Sequence, residues 1–227
     1  MSETGLSLNA LLQLQTWLSP AFPIGAFSYS HGLETAVHLG KVHERTSAEA
    51  WLEALLFHGS GHNDVIMLCQ TWRAASKGEW EEVRQVNDLA LAMAPSKERY
   101  QETAFQGSAF LSAAEAWIDE LPPLLTSGPV ALPVAAGVVT AHKGIPLEAA
   151  AGAFVQAFIA NLVSMLVRHM PLGQSEGLKL LHALEPKIAR LVQDTKDKTL
   201  DDLGGAAIIS DIASMAHELL RTRIYKS

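Results

Sequence analysis

The chain has 227 residues and a mass of 24.5 kDa, with 48% hydrophobic but only 7% aromatic residues and a formal net charge of -7. That acidic balance excludes nucleic acid as a main partner, because phosphate binding needs a basic stripe and none is visible. The single cysteine, Cys69, excludes an internal disulfide framework and suits a reducing, cytoplasmic compartment, and the opening MSETGLSLNA lacks the basic region of a secretory signal.

Helical periodicity dominates from the start. Leu8, Leu11, Leu12 and Trp17 mark a first helix that Pro20 ends. The stretch LSPAFPIGAFSYSHGLE (18–34) then breaks the pattern with Ser19, Pro20, Pro23 and Gly25, yet carries Phe22, Ile24, Phe27 and Tyr29. A solvated linker would be polar, and a strand takes two close prolines only at an edge or bulge. The segment reads as an ordered apolar turn that something packs against. Ser30 caps a second helix running towards Gly40, with Leu33, Ala36 and Val37 on its apolar face. Ser47 caps a third, with Trp51, Leu55 and His58 on one side and Gly59 and Gly61 closing it. Asp64 opens a fourth through Val65, Leu68, Cys69 and Trp72, ended near Gly78, and Trp80, Val83, Val86 and Ala90 make a fifth. Pro95-Ser96 starts a long helix through Tyr100, Ala104, Gly107, Leu111, Ala114 and Ile118, stopped by Pro122-Pro123.

In the second half, Pro129 and Pro133 confine a helix start near Leu132, and Pro146 suits the first position of a helix through Val167 that Pro171 ends. Leu178, Leu181, Ile188 and Leu191 mark a further helix kinked at Pro186. Residues 194–205 read as a mobile polar loop, and Ser210 caps a last helix through Ile212, Met215 and Leu219. Two uncharged runs resemble membrane spans. The first, 149–167, carries Gln156, Asn161 and Ser164 and reads as a buried bundle helix. The second, 121–141, is too rich in proline and glycine to satisfy its backbone in lipid. No span is expected. The fold class is all-α: one single-domain bundle of about ten helices over residues 1–227.

Catalytic and metal motifs are scarce. His31, Glu34 and His38 fall at i, i+3 and i+7, so one helix face could present two imidazoles and a carboxylate to a divalent ion; the preferred reading is a solvated or hydrogen-bonded face. Gly59-Ser60-Gly61 breaks any alignment of His58 with His62. His217-Glu218 opens like a zinc-protease helix, but Arg221 stands at the second ligand position. No Glu precedes a His by three residues, as di-iron bundles require. There is no Gly-rich loop ending in Gly-Lys-Ser/Thr. Cys69 lies at apolar spacing as a small core residue, and Ser28 and Ser30 lack a Gly-x-Ser-x-Gly elbow. No catalytic or metal residue is assigned, and these absences count against an enzyme.

Four segments in order supply a positive reading. LLQLQTWLSPAFPIGAFSYSHGLE closely resembles the N-terminal signature of the urease accessory protein UreF family. KERYQETAFQGSAFL (97–111) resembles that family's middle region, RHMPLGQSEGLKLL (168–181) its Pro-Leu-Gly-Gln segment, and SDIASMAHELLRTRIYKS (210–227) its Ser-Met-x-His-Glu helix and Arg-containing terminus. Two departures stand out. Leu178 replaces a usual Gln, and the terminus reads Ile224-Tyr225-Lys226-Ser227 rather than Leu-Phe-Arg-Ser, so Lys226 lacks the planar fork of a guanidinium.

The resemblance implies an all-α, dimeric, non-enzymatic protein that bridges the UreD/UreH accessory protein to the UreG GTPase. Through that complex it reaches the urease apoprotein, and nickel is handled by the complex with no cofactor bound tightly to this chain. It implies partner-binding roles for Phe27, Ser28, Tyr29, His31 and Glu34 in the opening turn, for Gly173 and Gln174, and for Arg221, Arg223, Ile224, Tyr225 and Lys226 in the tail. The tail is expected to be ordered by its partner. Two alternatives stay open: an all-α enzyme with an unrecognised cavity, and a stand-alone nickel-binding protein.

Overall fold

A computed structural model describes residues 5–118, 125 and 127–227; the Pro122-Pro123 stop lies outside them. Among the described residues there are α-helices and short 3-10 turns and no strand. The helices are α1 (Leu8–Trp17), α2 (Leu33–His38), α3 (Arg45–His58), α4 (Ser60–Lys77), α5 (Trp80–Ala92), α6 (Lys97–Ala114), α7 (Leu132–His142), α8 (Leu147–His169), α9 (Gln174–Thr195) and α10 (Ile208–His217). The all-α expectation holds.

The centre is α7, whose residues 133–140 are all buried. A helix apolar on every side belongs inside a bundle, and α4, α6 and α8 surround it. Small residues set how closely they approach. A Cβ on Gly107 of α6 would stand 2.0 Å from the Val130 carbonyl oxygen, and one on Gly137 of α7 would stand 2.9 Å from the Leu68 carbonyl of α4. The buried start of α7 still needs partners for its free amides. Asn87 supplies one and a second contact besides: its Oδ1 accepts from Ala131 N at 2.9 Å while its Nδ2 donates to the Pro129 carbonyl at 3.1 Å. Thr103 Oγ1 accepts from Leu132 N at 3.1 Å. Among the described residues α8 alone is long and apolar enough to cross a membrane, and half of its most apolar stretch is buried here against α4, α7 and α9.

Several boundaries differ from those the sequence suggests. The buried side of α1 is Ala10, Leu14 and Trp17, while Leu8, Leu11 and Leu12 face solvent. The third helix starts at Arg45, with Ser47 inside a reciprocal box on Glu44, and His58 is exposed. After a single-residue break at Gly59, α4 begins at Ser60 rather than Asp64. The long sixth helix ends at Ala114, short of Ile118. Pro146 caps α8 instead of opening it. Ser210 lies within the first turn of α10, which begins at Ile208.

The expected mobile loop at 194–205 is tied down. Gln70 donates to the Lys198 carbonyl at 2.5 Å, Arg73 to that of Lys196, and Asn63 accepts from Gly204 N at 3.0 Å. Just beyond, Ala206 N and Ala207 N share the His58 carbonyl. Its backbone groups are met by side chains of α4, which composition does not reveal.

Gly107→Ala should destabilise the protein by more than about 3 kcal/mol, since backbone would have to move to admit one methyl. Gly152→Ala, where a Cβ meets nothing within 4 Å, should instead gain up to about 1 kcal/mol of helix propensity. Denaturant unfolding of both variants checks the contrast.

Candidate functional site

The opening turn is built on an aromatic anchor. Phe22 is buried, with its ring 5.3 Å from Phe110 of α6, and Trp17 meets Trp117 edge-on at 5.9 Å. Asn161 of α8 donates to the Ala26 carbonyl at 2.9 Å and fixes the 3-10 turn Ala26–Ser28. His31 and Gly32 then take φ of 59° and 77°. At Gly32 this left-handed backbone coincides with a close approach, because a Cβ would lie 2.8 Å from Ser214 N. In this way α10 settles directly on the start of α2.

That contact buries a cluster of charges. His217 of α10 has no exposed surface. Its Nδ1 lies 2.6 Å from Glu98 of α6, and its Nε2 lies 2.9 Å from Glu34 of α2. Arg223 pairs with the other oxygen of Glu98. Glu34 also accepts two backbone amides of the tail, Ile224 N at 2.8 Å and Tyr225 N at 3.1 Å. Burial raises the Glu34 pKa, but His217 and these two amides outweigh it and hold the carboxyl below its usual range.

The tail is therefore folded onto its own chain. Lys226 N donates to the Ser28 carbonyl at 2.8 Å and Ser30 N to that of Ser227 at 2.9 Å. The Ser227 hydroxyl donates to Glu102 at 2.6 Å. Tyr225 is buried, its ring 5.9 Å from His169 and 5.6 Å from the Arg168 guanidinium. The Lys226 ammonium lies 5.8 Å from the Tyr29 ring. The tail, expected to be an anchor for its partner, also contacts its own chain, where Glu34 supplies the acceptor for two of its amides.

Two cavities adjoin this region. One of about 190 Å³ is mostly polar and reaches Ser60, Asn63 and Asp211; the other, about 240 Å³, is walled by Phe22, Ile24, Phe110, Phe154 and Phe158. They share His31, Asp64, Arg99 and Thr103. Burial, with help from Arg99, lowers the His31 pKa to about 4 against the pull of Glu102. The ring is neutral at pH 7, with Nε2 2.6 Å from Ser60 Oγ. Glu102 is held far below the carboxylate range, because Arg99 and His31 outweigh its burial. Asp64 goes the other way: burial raises it to about 7 despite Arg99, and Glu102 adds to the rise.

The sequence-predicted partner residues fall into three groups. His31 and Glu34 are hydrogen-bonded, as one half of the expectation has it, but buried rather than on an exposed face; His38 alone of that trio is exposed. No group of three or more His, Cys, Asp or Glu able to hold a metal occurs among the described residues. Ser28 and Tyr29 hold the tail, while Phe27 is 59% exposed. In the tail itself Ile224 is 72% exposed, and Arg221, Arg223 and Lys226 are exposed beside it. Gly173 and Gln174 stand apart at the start of α9, both exposed. Gly173 has φ -65° and open space at its Cβ position, so turn geometry does not require glycine there. Cys69 is fully buried and its thiol pushed up to about 11 by that burial, as suits a core residue.

Periodicity also marked a surface that the sequence reading assigned no role. Ile208, Ile209, Ile212, Met215 and Leu219 are all roughly half or more exposed. On α10 and its C-terminal turn they form an apolar stripe beside the tail. The helical spacing was correct, but Ala213, Ser214 and His217 are the buried side.

Comparison with known proteins follows from this geometry. The UreF family model matches residues 42–185. A urease accessory protein UreF of Rhodopseudomonas palustris is 45% identical over 222 residues, covering 96% of this chain and 93% of that protein. One from Mesorhizobium japonicum is 46% identical over 221 residues, covering 96% of each. Urease accessory protein UreF 1 of Brucella canis is 43% identical over 223 residues, covering 96% and 95%.

Asp64→Asn tests the electrostatics. A carboxyl raised from 3.8 to about 7 makes the native state bind more protons than the unfolded chain across that window. Stability on this account falls as pH rises through it. The substitution should raise the melting temperature at pH 8, by about 2–4 °C per kcal/mol recovered, and leave it unchanged below pH 4. Calorimetry at the two pH values reads the difference.

Proposed function

The chain belongs to the UreF family of urease accessory proteins, and from that membership we propose that it matures the urease nickel metallocentre without catalysing a reaction itself. In this reading it is a cytoplasmic, homodimeric adaptor between the UreD/UreH accessory protein and the UreG GTPase, and it reaches the urease apoprotein through their complex. Nickel is cargo of the assembly.

The observation that carries this reading is the apolar stripe of α10, together with exposed Ile224 and the basic Arg221, Arg223 and Lys226 that follow it in the chain. A contiguous exposed apolar stripe rimmed by charge is what a protein-binding face requires. We assign it to the UreD/UreH partner. The uncovered side of α8 supports self-association: Ala153, Ala157 and Ala160 are only partly buried, and such small residues let a second copy approach closely. Gln174, exposed and with no structural demand on it visible in the fold, is assigned to partner contact as well.

Ile212→Glu combined with Leu219→Glu should leave the melting temperature nearly unchanged, as exposed substitutions usually do. It should abolish co-purification with the UreD/UreH protein and with it urease activation in cells. Retained capture would contradict the assignment. Gln174→Ala should likewise melt as the parent does while lowering urease activity at limiting nickel. Sedimentation of the pure protein should give a dimer, and a monomer both alone and in the complex would contradict self-association.

A further inference from the structure

We propose that Ser60 and His31 are catalytic residues of a small esterase site, oriented by Glu102, that hydrolyses short-chain carboxylic esters. This activity goes beyond the proposed function and does not depend on it, since that role calls for no covalent step. His31 Nε2 lies 2.6 Å from Ser60 Oγ, and its Nδ1 lies 3.5 Å from Glu102 Oε1. Hydroxyl, imidazole and carboxylate thus stand in the order that lets the ring take the serine proton. At 3.5 Å the carboxylate orients the ring by charge more than by a hydrogen bond. Three separate elements supply the set: His31 precedes α2, Ser60 opens α4 and Glu102 lies on α6. His31 also takes φ 59°, a conformation rare for a residue with a side chain and concentrated at functional sites.

Ser60 is presented as a nucleophile requires. The elbow that Ser28 and Ser30 lack has a counterpart in Gly59-Ser60-Gly61, where α3 turns into α4 within one residue. A Cβ on Gly61 would stand 2.9 Å from the Leu56 Cα, so the turn packs too closely for a larger residue. Ser60 is only partly buried, and with His31, Asn63 and Asp64 it lines the polar cavity of about 190 Å³. That space suits a short acyl group. Because Ser60 begins a helix, first-turn amides without helical acceptors lie beside it and favour the negative charge that develops on the carbonyl oxygen. With the His31 pKa at about 4, Nε2 is free to accept a proton at pH 7. The Arg99 charge disfavours the imidazolium that forms, and the reaction is slow for that reason.

The chemistry needs no reagent besides water. Ser60 Oγ bonds to the ester carbonyl carbon as its proton passes to His31 Nε2. The imidazolium gives that proton to the departing alkoxide oxygen, which leaves as the alcohol. Water then passes a proton to the same nitrogen and attacks the acyl carbon. The carboxylic acid is released, and the proton returns to Ser60 Oγ.

The test treats the full chain with a fluorophosphonate, which phosphonylates activated serines, and with 4-nitrophenyl esters. Peptide mass mapping should place the adduct on Ser60 rather than on an exposed serine such as Ser175. Ser60→Ala should lose the adduct and bring hydrolysis of 4-nitrophenyl acetate down to the background rate. His31→Asn, which tolerates the left-handed backbone, should slow labelling of Ser60 by about a hundredfold or more. The acetyl ester should react faster than the octanoyl ester, and the reverse order would contradict the short-acyl assignment. For Glu102 as a positioning residue, Glu102→Gln should move the ring proton of His31 between its nitrogens, read from their 15N shifts; an unchanged tautomer would overturn that role. No adduct on Ser60, or equal labelling in a folded His31→Asn, would overturn the proposal. Labelling of the parent compares two serines in one folded molecule, so it decides the matter even where a variant fails to fold.

Discussion

One buried carboxylate, that of Glu34, joins the two ends of this chain. It sits at the start of α2, two residues after the glycine that lets α10 approach, and it accepts from the His217 ring and from two tail amides. A buried charge left without partners costs several kcal/mol, about 3–5 when one side of a pair is removed. The opening turn, α10 and the tail therefore stand or fall together. The apolar turn is not a linker because Phe22 is core, and the tail is not a loose end because Glu34 and Ser30 need what it offers.

The rest of the bundle serves to hold that junction. Small residues on α6 and α7 bring the backbones close enough for Asn87 and Thr103 to cap α7 from neighbouring helices. With α6 so placed, Glu98 and Glu102 project one turn apart towards the tail. Glu98 meets His217 and Arg223, whereas Glu102 meets Ser227, Arg99 and His31. Through Glu102 the tail reaches the shared wall of the two cavities. The site is an edge of the core, built from its charged residues.

Much of the fold was legible in the sequence, because helical spacing and proline breaks report local structure. The helices around Val83, Leu111 and Leu178 all exist near where the pattern puts them. What spacing cannot report is which face turns inward. On α1 and α10 the leucine and isoleucine stripes are outside, while Ala10, Leu14, Ala213 and Ser214 are inside. A stripe made for a partner looks the same as one made for the core. Nor could sequence pair Glu34 with His217, 183 residues apart; the resemblance pointed to both ends of the chain, and only the fold shows that they meet. The misread loop at 194–205 fails for the same reason, since its partners are side chains of α4, far away along the chain.

The contacts of Glu34, Glu102 and Ser30 with the tail predict that its own chain holds it. Backbone 15N relaxation on the free protein measures this directly at Ile224, Tyr225 and Ser227. The account predicts order parameters of about 0.85, like those of rigid helices. Values below about 0.6 at these three amides, with α10 itself rigid, would mean a flexible tail and would contradict it.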